Sequence, residues 1–590
     1  MPILKNFVYF KKTIGWHIYP LLVLNIFISL FDSFALAMFV PLISLAAAET
    51  VAVDTLGNLR FLTDFLVWLG VPLSLPSLLA LLVSLFAIKG VFRFIQRRYY
   101  TYIRYLFLLK VRFGLINDLE AMSYSGFINV HAGTIQNTLV GEVSRVFLGM
   151  ERYFNSLQYG MMVGTYVTLA FIANWAFAIL VILGVGVLSF LYQRFLRLIR
   201  ESSQKISNRG HDFNGLLIQG VTHFKYLRAT DTIHAYFRKL RQTILESEKL
   251  FRKMGHYDAL LEGIREPLII GLIAIVVCLQ IYYLNGYIET IMVSLLFFYR
   301  GLSYLIQAQT AMQNFAAVSG SFASIDQMEA KMKGEVEYTG VRPYIGFQRI
   351  HLKKLGLQFG DYVVFKDIDI IIPKDHTIAL VGESGVGKTS LAGILSGLFP
   401  PSKGQVLLDD TSLADMHLDS FRRKVGYILQ DPVIFSDSIY NNITFWSPRT
   451  PENIQKFYSV LESTSLSSFV ENLPDKENTL LGPQGIMASG GQEQRIAIAR
   501  ELFKEVDILI MDEATSALDT ETEKIIQENI ELLKGRYTLC IIAHRLSTIR
   551  NADTIYLMGD KGILAAGSFK ELLEKSPVFK KMVALQQVAE

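Results

Sequence analysis

The chain has 590 residues, 51% of them hydrophobic and only 19% charged, with a mean hydropathy of +0.34. Soluble chains carry roughly 25% charged residues, so the apolar excess argues against a protein that meets only water. A net charge of +4 is too small to point to nucleic acid, and two cysteines, Cys278 and Cys540, exclude a disulfide framework and a cysteine zinc site.

The apolar residues crowd into the first 330 positions. Ile3 to Trp16 mixes Phe7, Tyr9 and Phe10 with Lys5, Lys11 and Lys12, which suits a helix lying at a membrane surface. Stretches near 18–47, 75–96, 156–173, 175–194, 268–285 and 288–312 each approach the length of about 20 residues needed to cross a bilayer. One such run would read as a buried core helix; six together read as membrane spans. The first is too long for a signal-peptide core and no small-residue cleavage site closes it. Leu59, Leu62, Phe65, Leu66 and Leu69 form an apolar stripe ended by Gly70 and Pro72. This predicts a short external helix near 58–70, which either shields a lipid tail or packs on neighbouring spans.

Basic residues set the orientation. Arg97, Arg98, Arg104, Lys110, Arg112 and Arg145 fill the link between spans two and three, and Arg194 to Arg241 the link between spans four and five. The opposite loops hold almost none, so both termini face the cytoplasm. Leu, Ile and Phe recur at helical spacing in both basic links, which should continue the spans as rods. Four cations sit at depth. By helical rise Lys89 and Arg300 lie roughly 20 Å below the outer ends of their spans, and Arg93 and Arg265 roughly 28–30 Å. Intramembrane charge is costly and lines cavities, where arginine suits a phosphate. The alternatives are snorkelling to headgroups or pairing with Asp32, Glu262 and Glu266.

Texture changes at 331–345, a linker containing Gly334, Gly340 and Pro343. Beyond it, 346–590 reads as an α/β domain. Gly382-Glu383-Ser384-Gly385-Val386-Gly387-Lys388-Thr389 is a complete P-loop between an apolar strand, Thr377 to Val381, and a helix opened by Ser390. Its backbone amides would cradle a triphosphate, with Lys388 on the β and γ phosphates and Thr389 on magnesium. The strand Asp507 to Asp512 ends in two carboxylates. Asp512 would hold the metal's water shell and Glu513 would act as general base.

Between these lies Ala488-Ser489-Gly490-Gly491-Gln492, running into a helix that reaches Arg500. With this element the chain resembles the ATP-binding cassette (ABC) family. The resemblance implies a Q-loop glutamine at Gln430, touching magnesium and the membrane part, a D-loop through Asp519, a switch histidine at His544, and adenine stacking on Phe359, with Tyr362 as second choice. It also implies coupling helices near 115–135 and 205–220. Two departures stand out: Ala488 where the family has leucine, and Pro483-Gln484 in a loop where exporters of this type carry glutamate and arginine.

The implied fold is an all-α membrane domain, 1–330, with six helices and long cytoplasmic extensions, followed by a P-loop cassette, 346–590. One cassette on one membrane part is a half-transporter, so the resemblance implies a homodimer that closes Ser489 to Gly491 of each copy over ATP and Mg2+ bound to the other. The basic belt and external helix resemble the PglK-type flippases of lipid-linked oligosaccharides in a bacterial inner membrane. The alternatives are a broad drug, peptide or lipid exporter, and an ATP-gated channel or regulator, against which Glu513 and His544 speak.

Overall fold

The computed structural model describes residues 2–39, 41–42, 64, 66–68, 70, 72–173, 175–283, 288–482, 488–512, 528, 530–543 and 549–587. Glu513, Asp519, His544, Pro483 and Gln484, most of the 58–70 stripe and the side chain of Arg265 lie outside the described residues. The chain forms two compact units, Met1–Met122 with Gly126–Val336, and Ser123–Ser125 with Glu337–Glu590.

The first unit is helical: α1 Pro2–Ile14, α2 Ile18–Ala37, α3 Leu75–Glu120, α4 Tyr124–Ile128, α5 Ala132–Gln136, α6 Val143–Ala173, α7 Trp175–Thr222, α8 Phe224–Ala229, α9 Ile233–Tyr283, α10 Ile288–Ala317 and α11 Ser319–Gly334. Gly15, at φ +72°, turns α1 into α2. Phe7–Ala37 and α3 are each long and apolar enough to cross a membrane. Helix α1 packs on the helical unit by one face: Lys11 and Lys12 are exposed, while Phe10 is buried against Tyr153, Phe154 and Phe322. Leu66, from the external stripe, is buried with Ile28, Ala37 and Leu78, which favours packing on neighbouring helices.

The extended helices depart from the sequence expectation in two places. The first basic link is not one rod. It breaks after Glu120 into α4 and α5 and then a wider turn, Asn137–Glu142, that winds with i→i+5 bonds into α6. Residues 205–220 are not a separate coupling helix either, because α7 runs unbroken to Thr222 and the short element is α8. The break in the first link is tied to packing between helices. Gly133 packs so closely on α7 that a Cβ would lie 2.3 Å from the Gly215 nitrogen. The wider turn lets Asn137 Nδ2 donate to Glu142 Oε1 (2.9 Å), which also accepts from Ser207 Oγ of α7 (2.8 Å).

The second unit holds two sheets. β2 (Tyr362–Pro373), β1 (Arg349–Phe359), β4 (Lys403–Leu408) and β5 (Thr411–Ser412) form an antiparallel sheet in that order. The other runs β10-β9-β3-β8-β7-β6: Gly562–Gly567, Thr554–Gly559, Thr377–Val381, Thr538–Ile542, Ile508–Asp512 and Val425–Ile428. It is parallel except for the β10–β9 hairpin. Parallel strands covered on both faces read as unbroken apolar runs, as β3, β7 and β8 do. Alternation decides which core each residue joins. Ile378 and Leu380 face the first sheet with Ile350, Phe365 and Leu391, whereas Ala379 and Val381 face the helices with Leu461, Ile498 and Leu509. The helices are α12 Lys388–Leu395, α13 Leu418–Arg422, α14 Ile439–Thr444, α15 Pro451–Ser463, α16 Ser467–Glu471, α17 Gly490–Phe503, α18 Phe569–Lys575 and α19 Pro577–Gln587.

Candidate functional site

Register brings the cassette motifs to one edge. Leu380 of β3 lies opposite Ile542 of β8, and Ile542 opposite Asp512 of β7. At about 4.8 Å per strand, Asp512 is roughly 10 Å across the sheet from the strand that feeds the P-loop. Ile428 of β6 lies opposite Met511, so Gln430, two residues on, leaves the sheet at the same carboxyl-terminal edge. Ligands of open α/β sheets sit at this edge.

The P-loop has the backbone its glycines permit. Gly385 and Gly387 take φ of +87° and +99°. Gly387 caps α12 where a Cβ would come within 2.7 Å of Val364 Cγ1 and 2.9 Å of Phe365 Cδ1. Lys388 Nζ donates to the carbonyls of Gly382 (2.8 Å) and Glu383 (2.9 Å), holding its charge over the loop. Glu383, Ser384, Gly385 and Thr389 are exposed, Val386 and Ser390 half-buried. Phe359 and Tyr362 face each other across the β1–β2 turn. Both are exposed, and Phe359 is braced edge-on by Phe399 at 6.0 Å.

The Ser-Gly-Gly element starts α17. Ser489 Oγ accepts from Gln492 N (3.3 Å), and Gln492 Oε1 accepts from Ser489 N (2.8 Å), a reciprocal cap. Gln492 therefore shapes the helix start with its carbonyl oxygen. The Ser489 hydroxyl proton remains for another acceptor, and Ser489 and Gly490 are exposed. At the other end of the helix is a residue that sequence reasoning passed over. Arg500 is 5% exposed and donates to Asn442 O (2.6 Å), Val433 O (2.8 Å) and Asn442 Oδ1 (3.1 Å), between the rings of Phe435 and Phe445. It fastens α17 to the segment following Gln430. Behind Asp512, Cys540 is wholly enclosed, and burial, with the Asp512 charge second, pushes its thiol up to about 12.

In the helical unit, the cations at depth do not form a uniform belt. Lys89 of α3 is ion-paired with Asp32 of α2. Tyr166 of α6 and Tyr304 of α10 donate to Asp32 Oδ2, Tyr166 at 3.0 Å. Arg300 Nη2 lies 4.0 Å from Asp32 Oδ1 and donates to Tyr304 Oη at 3.3 Å, its guanidinium over the Tyr304 ring. Arg93 is exposed and stands apart from this cluster. Of the three carboxylates considered as partners, Asp32 is the one that Lys89 and Arg300 meet; Glu262 and Glu266 are exposed. Tyr166 and Tyr304 were not singled out from sequence, although Tyr304 one helical turn from Arg300 was the available signal. Tyr166 also lines an apolar cavity of about 220 Å³ with Val163, Ala170, Phe297, Phe298 and Leu302.

A P-loop after one parallel strand, an acidic strand end two places away and a capped Ser-Gly-Gly helix define a nucleotide-binding cassette carried by a helical unit. The family described as ABC transporter matches residues 365–516. The chain is 30% identical over 477 residues to the heterocyst differentiation ATP-binding protein HepA of Nostoc sp., covering 78% of this chain and 76% of that protein. It is 30% identical over 500 residues, 80% of each chain, to the ATP-dependent lipid A-core flippase of Methylococcus capsulatus. The fold matches a bacterial Atm1-family ABC exporter with ATP bound, TM-score 0.80 at 20% identity over 97% of this chain and 98% of that one. The chain belongs to the ABC transporter family. It is an exporter-type ATPase, an integral membrane protein whose cytoplasmic cassette binds and hydrolyses ATP to drive translocation.

Proposed function

We propose that the chain is one half of a homodimeric flippase that moves a lipid bearing a phosphorylated glycan head across a bacterial inner membrane. A polyprenyl-diphosphate oligosaccharide is the passenger argued first from sequence; relatives named lipid A-core flippases support the wider class of phosphorylated glycolipids. Each half supplies a membrane domain of six spans (1–330), a linker (331–345) and a cassette (346–590). In the cassette, Gly382 to Ser390 cradle the phosphates, Phe359 stacks on adenine, Glu513 takes the proton of the attacking water and His544 holds the γ phosphate. Ser489 to Gln492 and Asp519 complete the site of the other copy.

The donor set fits Mg2+. Among the described residues no group of three or more His, Cys, Asp or Glu side chains is gathered. One carboxylate, Asp512, with oxygens from Thr389 and Gln430, is the sparse hard-donor set that magnesium shares with phosphates. When bound, the ion spreads the charge of the transferring phosphoryl group.

The observation that carries the lipid reading is the charged cluster joined to the apolar cavity through Tyr166. Two cations against one carboxylate leave a positive site, and an amphiphile needs such a site next to an apolar one. The test is ATPase activity in proteoliposomes with and without polyprenyl-diphosphate glycan, comparing wild type with Arg300→Ala and Arg93→Ala. Lys89 is a poorer choice, because its removal strips the buried Asp32 of its ion pair. Stimulation of wild type that falls in the arginine variants supports the flippase. No stimulation, or stimulation indifferent to both arginines, leaves a general exporter.

A further inference from the structure

We propose that Asp32 is a resident counter-ion that sets how much negative charge a passenger's head must carry before the membrane unit holds it. The inference rests on the anionic-lipid reading above and goes beyond it by assigning a selectivity rule to a residue outside the cationic set.

The Asp32 side chain is 2% exposed, yet four groups from three other helices converge on it: Lys89, Tyr166, Tyr304 and Arg300. Neutralising one buried carboxylate needs one cation. The second is surplus, and it occupies the open end of the cluster. The Arg300 side chain is 43% exposed against 13% for Lys89. Its Nη2 lies between Tyr304 and Asp32, and the exposed end of the guanidinium presents N–H donors in a planar fork that matches phosphate oxygens.

A phosphate arriving at Arg300 must compete with Asp32, whose Oδ1 is 4.0 Å away. Asp32 is built to yield Arg300. Tyr166 and Tyr304 both donate to Oδ2, so the carboxylate keeps Lys89 and two neutral donors when Arg300 turns to the passenger. Asp32 thus subtracts one unit of charge from the site. A dianionic phosphate monoester or a diphosphate still finds a strong net attraction. A monoanionic phosphodiester, the head of bulk anionic phospholipid, finds little. The residue keeps the site from filling with the lipid that surrounds it.

The full chain in phosphatidylcholine nanodiscs, titrated with phosphatidic acid (a phosphate monoester) or phosphatidylglycerol (a phosphodiester) of the same tails, tests this. The readout is the mole fraction giving half-maximal ATPase stimulation. Wild type should respond to phosphatidic acid at a far lower fraction. In Asp32→Asn the half-maximal fraction for phosphatidylglycerol should fall severalfold, and the preference should collapse. Asp32→Glu should restore it, which a purely packing role would not require. Should Asp32→Asn fail to fold, Tyr304→Phe serves instead. It removes one neutral donor, ties Asp32 to its cations, and should raise the phosphatidic acid requirement severalfold. An unchanged preference in Asp32→Asn, or an unchanged requirement in Tyr304→Phe, overturns the assignment while the lipid reading stands. If neither lipid stimulates wild type, the counter-ion assignment fails, and the flippase reading is decided by the polyprenyl-diphosphate glycan assay.

Discussion

Arg500→Ala is the perturbation whose cost can be worked most directly from the cassette. The guanidinium makes three hydrogen bonds to the 433–442 segment and lies over two aromatic rings, 5% exposed. Burial lowers its proton affinity somewhat, with Glu501 opposing, so the charge is retained because its acceptors hold it. Truncation leaves the carbonyls of Val433 and Asn442 without this donor, while Asn442 Oδ1 keeps the Phe435 amide. At about 1–3 kcal/mol for each buried acceptor left unpaired, the cost is about 2–6 kcal/mol. For a domain of this size each kcal/mol lowers Tm by roughly 2–4 °C, so the loss should be about 4–24 °C. Arg500→Lys keeps the charge but not the fork and should recover only part of it. Differential scanning fluorimetry of the full chain in nanodiscs, at one scan rate, measures both. If Arg500→Ala melts within 2 °C of wild type, the guanidinium does not hold α17 to the segment after Gln430.

Two further outcomes follow from the cassette. Ser489→Ala removes the cap acceptor and should cost about 0.5–2 kcal/mol. Ser489→Asp keeps the cap, so its Tm should match wild type while ATP-driven cassette closure, followed by distance labels, is lost to charge repulsion. Loss of both properties in Ser489→Asp would contradict this division of roles. In a Cys278→Ser background, Cys540 should resist maleimide at pH 8 until denaturant is added, because its thiol is enclosed and raised to about 12. The sign is fixed by linkage: its stabilising contribution is full below an unfolded thiol's pKa of about 8.5 and is lost as pH climbs toward the folded value. Rapid labelling of native protein at pH 8 would refute the burial.

The cassette was the more legible half because its signals are local. Thr377–Val381 and Ile508–Asp512 are short unbroken apolar runs, and parallel strands covered on both faces must read so. The motif positions meet at one edge because right-handed crossovers leave the carboxyl ends of those strands together. The helical unit was legible in periodicity but only partly in punctuation. Ser125-Gly126 and Gly133 are breaker residues within 115–142, but the close approach of Gly133 to Gly215 across helices shows only in the structure. The same limit applied at depth. Helical rise placed Lys89 and Arg300 at one level, but only the tertiary register chooses Asp32 over Glu262 and Glu266 and adds two tyrosines. Arg500 was hidden for a related reason, since an arginine ending an amphipathic helix reads as a solvated residue until its acceptors, 58 and 67 positions away, are seen.

The placement of Asp32 bears on how the protein is made. Its helix leaves the ribosome before α3, and an aspartate within an apolar span opposes insertion by up to about 2.5–3.5 kcal/mol. Lys89 follows 57 residues later, whereas Tyr304 is 272 residues away. Entering as a hairpin, α2 and α3 would present an electroneutral pair to the translocon. The nascent chain would then wait for α6 and α10 before the carboxylate gains its remaining donors, which makes the order of synthesis part of the assembly of this bundle.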